Sequence, residues 1–179
     1  MNKELLDLYT DYLLSSFGAT TATGLSELMK GEISHDEITR MLRSECATGK
    51  QLWLYVKPYV RTIESEAGVL IIDDSIEEKE YTDENEIICW HWDHCKNRNV
   101  KGINFVSALY HSREVSLPIG FEIVAKTEQY IDEKTGRAKR RSPVTKNEMA
   151  RTLIRQAVAN QLLFTYILAD IWFAATDTM

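Results

Sequence analysis

The sequence predicts an α/β fold, a mixed β-sheet carried behind a small helical N-terminal region, and three observations predict it. Residues 1 to about 65 carry apolar side chains at helical spacing. Four segments beyond residue 67 carry strand patterns, and one capped helix separates the last two strands. The length, 179 residues, with 44% hydrophobic and 27% charged composition, suits a globular chain with a substantial core.

In the N-terminal region, LLDLYTDYLL places Leu5, Leu6, Leu8, Tyr9 and Leu13 at helical intervals. GLSELMKGEISHDEITRMLRSE follows. It predicts a short helix over Leu25 to Met29, a turn at Lys30-Gly31, and a second helix capped by Ser34, with Glu37 completing S-x-x-E. Two short helices around a glycine turn are compatible with a helix-turn-helix, and equally with a plain packing unit. Residues 52–66 are expected to lead into the next domain, so the division expected is 1–66 helical and 67–179 sheet-bearing.

The strands begin with GVLIIDDSIEEKEY. Val69 to Ile72 is an unbroken apolar run, the pattern of a strand covered on both faces, and it runs directly into Asp73 and Asp74. VKGINFVSALY, residues 100–110, is rich in β-branched and aromatic types. Residues 115–125 alternate, with Val115, Leu117, Ile119, Phe121, Ile123 and Ala125 on one expected face. Pro118 assigns that strand to a sheet edge. His111 to Glu114 closes a hairpin between these two strands. A polar, basic loop is expected over roughly Thr127 to Val144. Thr145-x-x-Glu148 then opens a helix running to about Leu162, and Phe164 to Ala169 forms a last strand ending at Asp170.

The order β-β-β-α-β has a favoured solution. A helical crossover sets the last strand parallel to an earlier one, so strands one and four lie side by side and the hairpin extends the sheet beyond strand one. That is an RNase H-like mixed sheet. It places Asp73 and Asp170 at neighbouring strand ends, where ligand sites of open α/β sheets lie. Two carboxylates there repel unless a cation lies between them, and Mg²⁺ or Mn²⁺ suits hard oxygen ligands. Asp is also a common turn and cap residue, so each position has a purely structural reading as well.

Other features bound the function. The net charge is −6, yet eight acids and one base lie between Asp73 and Glu86, and eight bases and one acid between Lys134 and Arg155. Such a local basic run matters more for polyanion binding than the total does. Cys46, Cys89 and Cys95 do not make a disulfide framework. Cys89, His91, His94 and Cys95 crowd into seven residues without a distant partner cluster, so packing is expected there rather than zinc. Trp90, Trp92 and Trp172 are expected to pack, with Trp172 close enough to Asp170 to line a site. No apolar run spans a membrane and the N-terminus lacks a signal-peptide layout, so a cytoplasmic, non-membrane protein is expected. A signalling receiver domain also carries paired acids after a strand, but a helix should follow that strand and here a hairpin does.

LIIDDSIEEKEYTDEN, CWHWDHCKNRNVKGINFVSALYH, VSLPIGFEIVAK and YILADIWFA together resemble the catalytic domain of bacterial insertion-sequence transposases of the DDE type. The resemblance implies a two-metal site of Mg²⁺ or Mn²⁺ in which Asp73 and Asp170 are catalytic metal ligands. Asp74 is held in reserve for the first position, and Ser75 supports it. It implies double-stranded DNA as partner, both element ends and target, and a homo-oligomer at full length. Lys134, Arg137, Lys139, Arg140, Arg141, Lys146, Arg151 and Arg155 would contact phosphates. The family's third carboxylate, a Glu on a later helix, has no match before Met179. The expectation is therefore a C-terminally truncated piece, inactive alone, or else a remnant that only binds DNA or oligomerises.

Overall fold

The computed structural model describes residues 3–44 and 48–174. Cys46 lies outside them. The chain forms two compact units, 1–47 and 48–179.

The first unit holds three helices, α1 (Lys3–Ser15), α2 (Ala22–Leu28) and α3 (His35–Ser44). Thr21 caps α2 by accepting from the Gly24 N–H, and Ser34 Oγ accepts from the Glu37 N–H at the start of α3. The turn between α2 and α3 falls at Lys30 and Gly31, both with positive φ, as the glycine predicted. Leu5, Leu25, Ile38 and Met41 make a small core.

The second unit opens with α4 (Gly49–Ile63), capped reciprocally by Thr48 and Gln51. The sequence grouped this segment with the N-terminal helices. It packs instead with the sheet, burying Trp53 and Val60 in the main core. Among the described residues the strands that follow are β1 (Val69–Glu78), β2 (Ile88–Asp93), β3 (Arg98–Ser112), β4 (Val115–Ile123), β5 (Glu128–Ile131), β6 (Ala138–Arg141) and, after α5 (Lys146–Ala159), β7 (Tyr166–Ala169). The main sheet runs β2-β3-β1-β7, with β4 also pairing β3.

The expected crossover holds. β1 and β7 are parallel neighbours, β3 lies antiparallel on the other side of β1, and β4 with Pro118 pairs only with β3. This is the mixed α/β sheet of an RNase H-like fold. α5 lies on the face that buries Leu70, Ile72, Val106, Ala108 and Tyr110, and contributes Met149, Ala150, Leu153 and Ala157 to it.

Three expectations are corrected. β1 does not end at Asp73. It continues to Glu78 because β3 offers it a ladder as far as Gly102. The basic segment is not a loop but the hairpin β5–β6, a separate two-stranded sheet. Its turn is organised by Asp132, whose side chain accepts from the Lys134 and Thr135 N–H groups, and by Gly136 at φ +64. The alternation over 115–125 does not keep one face. The register slips between Ala108 and Leu109, and the resulting bulge buries Ile119 and Gly120 together. Phe121 and Ile123 therefore stand opposite Ser107 and Phe105, on the face away from α5.

Candidate active site and its charged surroundings

The pairing of β1 with β7 covers four residues and ends at Ile72 opposite Ala169. Asp73 and Asp170 are the next residue on each strand. Neighbouring strands lie about 4.8 Å apart, and parallel partners share a face. The fold thus sets the two sequence-predicted aspartates at adjoining backbone positions just past the shared ladder, Asp73 in mid-strand and Asp170 at the cap of the turn after β7.

Both residues are exposed. Asp73 Oδ1 accepts from the Asp74 N–H at 2.8 Å, and the Asp73 carbonyl accepts from Ser107 Oγ at 3.4 Å. Asp170 caps the 3-10 turn Ile171–Phe173, its Oδ1 accepting from the Ile171 N–H at 2.5 Å. Phe173 is buried in the main core and pins that turn. Trp172 stacks on His94 with ring centroids 4.5 Å apart, and His94 meets Trp92 edge-on. The aromatic segment therefore does reach the neighbourhood of Asp170.

Strand alternation separates Asp73 from Asp74. Asp74 lies on the α5 side with Leu70 and Ile72, and there Lys146 Nζ, at the first position of α5, donates to Asp74 Oδ2 at 2.5 Å. Ser75 returns to the Asp73 face and is exposed.

Among the basic residues, Lys134, Arg137, Lys139, Arg140, Arg141 and Arg155 are exposed, while Lys146 and Arg151 are half-buried. Lys139 pairs with Asp132, Arg141 with Glu128 and Lys146 with Asp74. The Lys139 ammonium and the Thr135 donors hold the Asp132 carboxyl down at about 2. The Arg141 guanidinium also lies over the Tyr130 ring, 5.6 Å from its centroid.

The cysteine–histidine segment is β2 and its turn, a strand the sequence did not reveal. Its signal was hidden because a histidine holds a buried position and tryptophans hold the exposed ones. Cys89 Sγ lies 3.2 Å from His91 Nε2. Burial, then the charges of Lys126 and Lys146, push the His91 imidazole down to about 4. Burial raises the Cys89 thiol. Among the described residues no three of His, Cys, Asp and Glu converge in a group that could hold a metal ion.

No helix among the described residues is long and apolar enough to cross a membrane. No curated protein and no solved structure matches the chain. The model of the DDE superfamily endonucleases matches residues 2–179. With nearly the whole sequence matched, and with a mixed sheet that sets two aspartates on adjoining parallel strands, the chain belongs to the DDE superfamily of endonucleases.

Proposed function

We propose that the chain is part of an insertion-sequence transposase of the bacterial type. It would cut DNA at the element's ends with water and join the freed 3′-hydroxyl to target DNA. The observation that supports this reading is the β1–β7 register, which sets Asp73 beside Asp170. The donor set fits a divalent ion. Two exposed carboxylates offer hard oxygens, and such ions commonly take one or two carboxylates and complete their shell with waters and phosphate oxygens.

Mg²⁺ or Mn²⁺, when bound, supplies the Lewis acidity that favours the attacking oxygen and stabilises the leaving one. Asp73 and Asp170 would hold it. Asp74 is neutralised by Lys146, so it shapes the strand rather than serving as ligand. Ser75, two residues along the same strand face, orients groups around Asp73. The exposed cations of β6 and its turn, with Arg155, hold duplex phosphates and set register without reading sequence. The protein works as an oligomer, so that two element ends are processed together.

Binding of Mn²⁺, followed by electron paramagnetic resonance, tests the site without relying on turnover. Asp73→Ala or Asp170→Ala should weaken binding about tenfold or more, one carboxylate ligand being worth at least ~1.4 kcal/mol. Asp74→Ala should change it far less. Equal effects at all three positions would sink the assignment. A second reading is DNA binding or assembly without catalysis, to which the exposed cations of the β5–β6 hairpin are equally suited. It predicts duplex binding with no metal-dependent plasmid nicking.

A further inference from the structure

A cleft of about 890 Å³ opens between β2 and the β5–β6 hairpin. The two walls belong to different sheets and share no ladder. Lys126 clasps them at one end, its N–H donating to the Glu86 carbonyl and its Nζ to the Trp90 carbonyl at 2.6 Å. The outward indole of Trp90 stands on the β2 wall and the Tyr130 ring on the hairpin wall. Lys126, Lys139 and Arg140 line the cleft against one carboxylate, Glu84.

This lining is not needed by the fold. Trp90 is 53% exposed although it is the kind of side chain a core would take. Arg140 makes no ion pair among the described residues, whereas its neighbours Lys139 and Arg141 do. Exposed aromatic faces alternating with cations make a stacking platform beside an anion-binding rim. That combination suits a planar base joined to a phosphate. The volume lies within the range of small-ligand pockets, ~300–1,000 Å³, which admits unpaired nucleotides and excludes a duplex.

We propose that this cleft holds unpaired nucleotides of single-stranded DNA, with a base stacked on Trp90 and the backbone held by Arg140. The proposal rests on the DNA reading above and adds to it a second site, away from Asp73 and Asp170, for strands that are locally open. Stacking is indifferent to base identity, so the cleft should take any sequence.

The test uses the whole chain and a fluorescein-labelled oligonucleotide of about 12 nucleotides, within the ~4–16 covered by comparable single-strand sites. Anisotropy is read against the same sequence as a duplex. Trp90→Ala should lower single-strand affinity about tenfold while moving duplex affinity less than about twofold, because only open strands stack their bases in the cleft. Trp90→Phe keeps a ring and should restore most of the affinity, which separates stacking from damage to β2. Equal losses for both DNA forms would overturn the cleft and leave a general basic surface. Duplex binding without single-strand binding would overturn the cleft alone. Binding of neither form would overturn both the cleft and the DNA reading beneath it.

Discussion

Asp73 and Asp74 are adjacent in sequence and divided by the strand's pleat, which gives one to solvent and the other to Lys146. The apolar run before them made a strand legible, and the transposase resemblance pointed to Asp73 with Ser75 in support. Sequence did not reveal which acid would meet a cation, because Lys146 lies 72 residues away and reaches Asp74 only through the placement of α5. Lys146→Ala should cost under about 1 kcal/mol in denaturant unfolding, since the pair is partly exposed. Gly102 is more demanding. A Cβ there would lie 2.2 Å from the Glu77 carbonyl oxygen, a backbone atom that cannot step aside. Gly102→Ala should lower stability by about 1–3 kcal/mol, as overpacking does. His91 gives a pH dependence. Its folded pKa, about 4, lies below the ordinary 6.5, so its contribution is complete above about 6.5. It is lost as pH falls from there towards 4, because the unfolded chain takes up the proton first. The slope is at most about 1.4 kcal/mol per pH unit and should flatten in His91→Phe, measured by denaturant midpoints across that window.

Among the elements, those with local signals were the legible ones. Thr145 and Glu148 form the reciprocal cap that the sequence promised, with Thr145 Oγ accepting from the Glu148 N–H and the Glu148 carboxylate accepting from the Thr145 N–H. These donors hold the Glu148 carboxyl below its usual value. Thr145→Ala should cost about 1 kcal/mol by chemical denaturation, the usual loss of a cap. The β3–β4 hairpin and the edge position of Pro118 were legible for similar reasons. α4 lies inside the region expected to be helical, and its helix passes through Pro58 because Trp53 and Val60 anchor both flanks in the core. Elements without such signals escaped. The bulge at Ile119 is invisible to a period-2 count, since it arises from the partner strand's register. The hairpin β5–β6 has fully exposed strands, so its sequence carries no apolar alternation.

For the whole molecule, charge is divided rather than balanced. The acids cluster along β1 and the segment after it, and the bases along the hairpin and α5. Duplex affinity should fall steeply with salt. Neutralising Lys134, Arg137 and Arg140 together should make the log–log slope shallower by up to about 2.7, at ~0.9 for each phosphate that the protein no longer neutralises. The same slope in the triple variant and the unaltered protein would show that the hairpin does not touch the duplex. The parallel placement of β7 beside β1 was readable from the order of elements, because handed crossovers leave few arrangements.

The short β1–β7 pairing also has a consequence in folding time. It joins segments from opposite ends of the second unit, as the Thr165–Glu66 hydrogen bond across 99 residues shows. Pairings so remote in sequence close late, after local hairpins and helices have formed. Asp170 therefore arrives beside Asp73 only once β7 has docked, and a one-residue slip would turn it to the wrong face. A chain still on its way to the native state carries no paired carboxylates. Where those two aspartates hold a divalent ion, as proposed, competence to capture it would be a late checkpoint of maturation, withheld from every intermediate that has not yet closed its sheet.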